Sequence, residues 1–379
     1  MNIGIDIRPL MIKNKTGIGE YTFELLSAIF AQDKSNQYFL FSNSSQEIHS
    51  KFFSWNQPNI QYIHTRYPNK LLNFALAFGF LKINKLLPNK IDHWYSPNLN
   101  FLSLNKDTKH TLTIHDISYK LFPEFYTLKQ QIWHKIINPK NQCEQADTIV
   151  VPSENTKRDL VNYYQIDKEK IKVIHPGISP IFNLTDSQLK IKKTIIQKKY
   201  DLPNNYILFL GSIEPRKNLL GLIKAFEKLP KEITDKFYLI IAGGSGWKNI
   251  NIYNYANRSK LRDRIKFLGY VVETDKPALY SLANIFVFPS YYEGFGFPII
   301  EAMKMGTPVI TSNCSSLPEI SQNCAYYINP NNYSNLSFAI KSLIENNKLY
   351  SEYIKRGLDL ASKYTWENSA KEHLNIFGN

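Results

Sequence analysis

The sequence predicts an α/β chain of two doubly wound domains, each a parallel sheet covered by helices on both faces. Three observations lead there. Apolar runs of four to six residues recur along the chain, and each stops at glycine, proline or polar residues. Stretches with apolar residues at helical spacing follow several of them. A Lys-rich stretch near the middle separates two such series. Strands that are apolar throughout, alternating with helices, belong to parallel sheets buried on both faces.

The first series opens with a strand at Asn2–Ile7. Thr16-Gly17-Ile18-Gly19 breaks the pattern. A helix over Tyr21–Phe30 follows, with Leu25, Leu26, Ile29 and Phe30 on one face. Thr111–Ile114 and Thr148–Val151 are further strands. The first runs into His115-Asp116, the second into Pro152-Ser153-Glu154. Ser153 is placed to cap a helix over Asn155–Tyr164. Ile171–Ile174 ends at His175-Pro176-Gly177. Residues 181–204 read as linker and lead-in.

The second series begins with strand Tyr206–Leu210, ending at Gly211, and helix Asn218–Lys228. Strand Tyr238–Ala242 ends at Gly243-Gly244-Ser245-Gly246, strand Ile265–Leu268 at Gly269, and strand Ile285–Phe288 at Pro289-Ser290. Helix Pro298–Met305 stops at Gly306, before strand Pro308–Thr311. A last helix covers Glu367–Phe377. The domains expected are 1–180 and 205–364, with 365–379 as a terminal helix. Open parallel sheets bind ligands beyond the carboxyl ends of their strands. Two facing domains would bring those ends to one central cleft.

Composition narrows the class. The 379 residues are 43% hydrophobic and 14% aromatic, too apolar for a disordered chain. No stretch of 18 apolar residues occurs, so no spanning helix is expected. Residues 1–10 lack a basic region followed by an apolar run, so no secretory leader is expected. Cys143, Cys314 and Cys324 form no CxxC pair, which argues against a disulfide framework and a zinc site and for a reducing, cytoplasmic setting. The net charge of +14 is spread: residues 1–180 hold 21 Lys/Arg against 15 Asp/Glu. Such a surface suits phosphorylated substrates, an anionic membrane face or plain solvation. No basic stripe with interleaved aromatics occurs, so nucleic acid is not expected as a partner.

Two segments carry candidate chemistry. In Tyr291–Pro308, Glu293 precedes the flexible Gly294-Phe295-Gly296, and Pro298 opens a helix with Glu301 about one turn in. Amides at a helix start suit phosphate, and carboxylates suit hydroxyls, so one arrangement could hold both parts of a sugar nucleotide. An early Glu that merely complements the helix dipole reads equally well. In Gly211–Asn218, Arg216 and Lys217 are placed to neutralise a diphosphate, or are two solvated loop cations. Gly243–Gly246 lacks the Lys-Ser/Thr of a Walker loop and reads as a tight turn. No Asp/Glu-rich DxD-like motif occurs. His115-Asp116 has no further ligand at metal spacing, so no metal is implied.

These segments, with LIIAGGSG, FLGYV, ALYSLANIFVFPSYYEGFGFPIIEAM and GTPVITSNCSSLPE, resemble the retaining glycosyltransferases of family 4, of the GT-B fold. IDIRP, TGIGEYT, YSPN, TIHDIS and VPSENTKRDL extend the likeness toward the amino terminus, especially to mannosyltransferase-like members. The resemblance implies two Rossmann-like domains and transfer of a sugar from a nucleotide sugar to a glycan or lipid-linked glycan, in cell-surface polysaccharide or lipopolysaccharide synthesis. Mannose from GDP-mannose is the first expectation and a UDP-sugar the second. A non-catalytic sugar-nucleotide binder is the alternative of another class. It further implies that Glu301 binds the donor ribose. Glu293 and the amides of Gly294, Phe295, Gly296 and Phe297 would contact sugar and phosphate. Arg216 and Lys217 would hold the leaving diphosphate, Gly269, Tyr270 and Val271 would lie beside the base, and His115 would touch the transferred sugar. Gly17 and Gly19 would let the first loop approach the phosphates. Ser212 departs from the pattern, because many relatives carry a cation there. The last helix would return to the first domain. Retention through oxocarbenium-like, front-side transfer is the expected course, with no metal or other cofactor.

Leu71–Leu87, flanked by Lys70, Lys82, Lys85 and Lys90, is too short and interrupted to span a bilayer. It reads either as a core helix of the first domain or as a segment lying on an anionic membrane, which would make the protein peripheral on the inner face.

Overall fold

The computed structural model describes residues 1–11, 17–44 and 55–378. Thr16, read as part of the first break, lies outside them. The chain divides into two compact units. The first comprises 1–117, 129–177 and 365–379; the second comprises 118–128 and 178–364.

The first unit holds a seven-stranded sheet in which every pairing is parallel. Its strands are β1 (Asn2–Asp6), β2 (Gln37–Asn43), β3 (Ile60–Thr65), β4 (His93–Ser96), β5 (Lys109–Thr113), β6 (Thr148–Val151) and β7 (Ile171–Val173), in the order β3-β2-β1-β4-β5-β6-β7. The strand order reverses between β1 and β4. Ser153 caps its helix as read, accepting from the Thr156 amide at 3.2 Å. The helix expected from Tyr21 begins at Gly17 and runs to Gln32. Gly17 and Gly19 thus form its first turn instead of a loop. The terminal helix Trp366–Gly378 packs against it. The Trp366 and Tyr21 rings are 5.5 Å apart, and buried His373 sits 3.4 Å from the hydroxyls of Tyr21 and Tyr95.

The 71–87 segment is split. Leu72 and Leu76 of helix Asn69–Ala77, with Ile83 and Leu87, join Phe39, Phe41 and Trp94 in a core, whereas Leu71, Phe74, Phe78 and Phe80 face outward. No helix among the described residues is long and apolar enough to cross a membrane.

The second unit holds a six-stranded parallel sheet: β8 (Tyr206–Leu210), β9 (Tyr238–Ala242), β10 (Ile265–Gly269), β11 (Ile285–Phe288), β12 (Val309–Ser312) and β13 (Tyr326–Ile328), ordered β10-β9-β8-β11-β12-β13. β8, β11 and most of β9 are fully buried, which explains their unbroken apolar sequence. The stretch read as a linker is structured. Helix Asp186–Lys199 starts in a Thr185/Gln188 capping box, buries Ile196 in the core, and bonds Lys199 to Asp275 at 2.6 Å. One buried apolar position among lysines made it look like a tether.

Candidate active site

The strand order of the second sheet reverses between β8 and β11, which are hydrogen-bonded neighbours. Connections leaving such a pair diverge to opposite faces and open a crevice at the carboxyl ends of the strands. The loop after β8 carries Arg216 and Lys217, and the loop after β11 carries Glu293. The topology therefore delivers both candidate segments to one place.

The β8 loop is held down on one side. Gly211 N donates to Ala242 O and Ile213 N to Gly244 O, each at 3.0 Å. Gly243 permits this approach. It sits at φ +142°, and a Cβ there would lie 1.8 Å from the Gly211 carbonyl oxygen. The Gly243–Gly246 run is accordingly a close-packed turn. The loop then makes one 3-10 turn over Pro215–Lys217 and ends at Asn218 in the left-handed region. The Asn218 side-chain Nδ2 donates to Pro289 O at 3.2 Å and Pro330 O at 2.7 Å, which fixes the turn against the β11 loop.

Four side chains form one network. Arg216 Nη1 donates to Glu293 Oε2 at 2.9 Å and to Tyr292 O at 2.7 Å, and Nη2 donates to Glu214 Oε1 at 2.9 Å. Lys217 Nζ donates to Glu293 Oε1 at 2.6 Å and lies 4.9 Å from the Phe288 ring centroid. Glu214, Lys217 and Glu293 are all buried. Burial alone would push the Glu293 carboxyl up. The charges of Arg216 and Lys217, helped by the hydrogen bond from Lys217, outweigh it and hold the carboxyl below the usual glutamate range. Two cations are thus held in place by two carboxylates. An ammonium carries three donors, and a diphosphate needs such donors.

The loop beyond Glu293 is pinned through its backbone. The Glu293 amide donates to Ser315 Oγ at 3.0 Å, and Ser316 Oγ lies 2.9 Å from the carbonyl oxygens of both Glu293 and Phe295. Phe295 is itself a core side chain, packed on Phe297 and Tyr364. Gly296, at φ +109°, turns the chain into helix Phe297–Lys304. Glu301 lies one turn in, buried, and accepts from the Tyr280 hydroxyl at 2.8 Å. Burial pushes its carboxyl up; Lys276 and the Tyr280 bond oppose this, and Glu273 adds to it. Glu293 and Glu301 therefore share a loop and helix but have different partners and opposite shifts. At the end of β10, Gly269 O accepts from Gly243 N at 2.8 Å, Tyr270 is exposed and Val271 is buried.

The sequence reading missed a segment from the amino-terminal half. Residues 118–128 pack on the second unit beside this network. Trp247 Nε1 donates to Phe125 O at 2.6 Å, and Lys248 Nζ to Glu124 O at 2.7 Å. Phe125 stacks on Tyr291 at 5.5 Å, and Phe122 meets Tyr292 at 5.7 Å. Glu214, Tyr280, Ser315 and Ser316 were missed as well. Their nearest signal was their place at strand ends inside the quoted motifs.

His115, Gly17 and Gly19 lie in the first unit. His115 follows β5 and places Nε2 2.9 Å from Pro97 O. A carbonyl only accepts, so Nε2 carries the proton and Nδ1 is the acceptor. Burial lowers its pKa against the Pro97 bond and the Asp116 charge, which favours neutral imidazole. The Tyr21 ring meets it edge-on at 4.7 Å. Gly17 is exposed and Gly19 buried.

Comparison with known proteins agrees with this architecture. Residues 17–181 match the family described as Glycosyltransferase Family 4, and residues 191–359 match Glycosyl transferases group 1. The chain is 28% identical to O-antigen chain mannosyltransferase B of Escherichia coli over 378 residues, covering 96% of each. Its fold resembles sucrose-phosphate synthase of Thermosynechococcus elongatus, with a TM-score of 0.75 at 19% identity over 100% of this chain and 98% of that one. It also resembles Anabaena HepE in complex with UDP and glucose, with a TM-score of 0.73 at 16% identity over 100% of both chains. The chain belongs to the family 4 glycosyltransferases of the GT-B fold, as a mannosyltransferase-like member.

Proposed function

We propose that this glycosyltransferase moves mannose from GDP-mannose to a growing O-antigen-type glycan or a lipid-linked precursor of one, with retention of anomeric configuration. The observation that carries the reading is the Arg216–Lys217–Glu293 network at the β8/β11 switch point. The name of the E. coli relative supports mannose and the O-antigen.

Breaking the anomeric C–O bond builds negative charge on the diphosphate and positive charge on the sugar. Arg216 and Lys217 are already oriented, so they meet the growing phosphate charge with little reorganisation. The amides of Gly294, Phe295, Gly296 and Phe297, at a helix start, add to that field. Glu301 takes the ribose hydroxyls, Tyr270 and Val271 flank the base, and Glu293 holds the cations while presenting its carboxylate to the sugar. Neutral His115 offers hydrogen bonding without a charge that would oppose the oxocarbenium-like sugar. The acceptor hydroxyl then adds from the face that the diphosphate leaves, and its proton passes to the departing diphosphate oxygen.

A second reading, a UDP-sugar donor, is favoured by the likeness to HepE, which was solved with UDP and glucose. A thermal-shift panel of GDP, UDP, GDP-mannose and UDP-glucose separates the two, because a ligand bound only by the native state raises apparent stability. A shift with the guanine pair alone supports the first reading, and one with the uracil pair alone supports the second. No shift with any of the four, or an unchanged shift in K217A, overturns the donor site.

A further inference from the structure

Between Glu47 and Asp92 the sequence has no Asp or Glu, while Lys51, Arg66, Lys70, Lys82, Lys85 and Lys90 all fall within that stretch. At its centre, helix Asn69–Ala77 is apolar on two faces. The inner face supplies Leu72 and Leu76 to the core, which Ile83, Leu87, Phe39, Phe41 and Trp94 complete. The outer face ends in Leu71, Phe74, Phe78 and Phe80, which are 60%, 52%, 66% and 77% exposed. These rings gather on one another: Phe74 is 4.7 Å from Phe78 and 6.0 Å from Phe80, and Phe78 is 6.3 Å from Phe80. Scattered surface apolar residues are ordinary, whereas a cluster of large rings with a polar rim marks a contact surface.

The surrounding charge selects the occupant. Lys70 and Lys85 are exposed. Lys82 donates to Ser103 Oγ at 3.0 Å, and Lys90 reaches Asp107 at 3.1 Å in a solvent-exposed pair. A second copy docking here would set these cations against their own like. A polyanionic surface would attract them. We propose that Phe74, Phe78 and Phe80 insert into the interfacial layer of an anionic lipid bilayer while the flanking lysines meet the headgroups. Apolar insertion and headgroup attraction then add, as in two-signal anchoring. The interaction is reversible and salt-sensitive.

The test uses the full chain with sedimentable vesicles, either phosphatidylcholine alone or phosphatidylcholine with about a third phosphatidylglycerol. The readout needs no sugar nucleotide, so it stands or falls independently of the donor reading. The protein should pellet with the anionic vesicles, at least tenfold more strongly than with neutral ones, and release as salt rises. F74S/F78S/F80S should lower partitioning by about a hundredfold, and K70Q/K85Q by about tenfold. Both variants alter exposed side chains and should keep the parent Tm. Failure to bind anionic vesicles, or a triple variant that pellets like the parent, overturns the proposal. So does a concentration-dependent dimer in centrifugation that the triple variant abolishes, because the face would then join two copies.

Discussion

The indole N–H of Trp247 donates to the backbone carbonyl of Phe125 at 2.6 Å. Three residues beyond His115 the chain leaves the first unit, and residues 118–128 lie as a strap on the second. The strap is stiff. Phe122 and Phe125 are stacked at 5.6 Å, and Ser118 bonds the Tyr126 hydroxyl. Its rings cover Tyr291 and Tyr292, and these hold Arg216 twice. The Tyr291 amide donates to Arg216 O at 2.9 Å, and Tyr292 O accepts from the guanidinium. W247F removes one hydrogen bond and keeps a ring; F122A/F125A removes the cover. Donor KM should rise about threefold in the first and about tenfold or more in the second, with kcat at saturating donor changing less, since loosened positioning weakens diphosphate binding first. A merely structural defect would lower kcat through lost active protein and leave KM alone. Initial rates against donor concentration distinguish the two.

Removing either cation should act on the bond-breaking step. K217A is expected to lower kcat about 10²–10³-fold, the scale for losing one preorganised group at a developing charge. R216A should do at least as much, because it also frees Glu214 and the Tyr292 carbonyl. E293Q bears on stability. The Glu293 carboxyl is held below its ordinary value of 4.5, so the folded state binds its proton less readily than the unfolded state does. Its stabilisation is fully present above that ordinary value and is lost as pH falls through the lowered one. Melting curves of the parent and E293Q should differ by several degrees at neutral pH and converge in acid. A gap that stays constant with pH would contradict the charge pairing.

The second sheet was readable because its strands are buried on both faces. Tyr206–Leu210, Tyr238–Ala242 and Ile285–Phe288 were placed within a residue, and the segments after them supplied Arg216, Lys217 and Glu293. β2, β3, β4 and β13 were not assigned. β3 is a half-exposed edge strand with polar residues, β4 is short and carries His93, and β13 spans three residues. The spacing of Glu293 and Glu301 draws attention to both residues, but their partners leave no mark on it. Nothing in a linear pattern joins Glu301 to Tyr280, or Phe125 to Trp247, across 21 and 122 residues. The opposite electrostatics of two glutamates in one motif came only with those partners.

If side chains and amides neutralise the leaving group as proposed, turnover needs no metal. Among the described residues no group of three or more His, Cys, Asp or Glu is placed to hold an ion. Turnover with the cognate sugar nucleotide should persist after treatment with excess EDTA and dialysis, and added Mg²⁺ or Mn²⁺ should change it less than about twofold. A tenfold loss on chelation, restored by a divalent ion, would reassign part of the leaving-group stabilisation from Arg216 and Lys217 to metal.

Glu301 should show the reverse of Glu293. Burial raises its carboxyl above 4.5, so the folded state holds its proton more tightly than the unfolded state. Its contribution to stability is therefore greatest below that ordinary value and declines as pH rises through the raised one. Above its ordinary value the group therefore burdens the fold, although the Tyr280 hydroxyl and the Lys276 charge favour its ionised form. Ribose hydroxyls are the donors that a buried carboxylate still accommodates. E301Q keeps the shape and removes the charge, so it should raise Tm at pH 7 while weakening sugar-nucleotide affinity about tenfold, the scale of one hydrogen bond to a charged group. The Tm advantage should shrink as pH falls and the native carboxyl takes up its proton. Melting curves from pH 4 to pH 8, beside calorimetric titration with the nucleoside diphosphate, check both halves. A variant less stable than the parent at pH 7, or one with unchanged affinity, would show that Glu301 serves the helix and not the ligand.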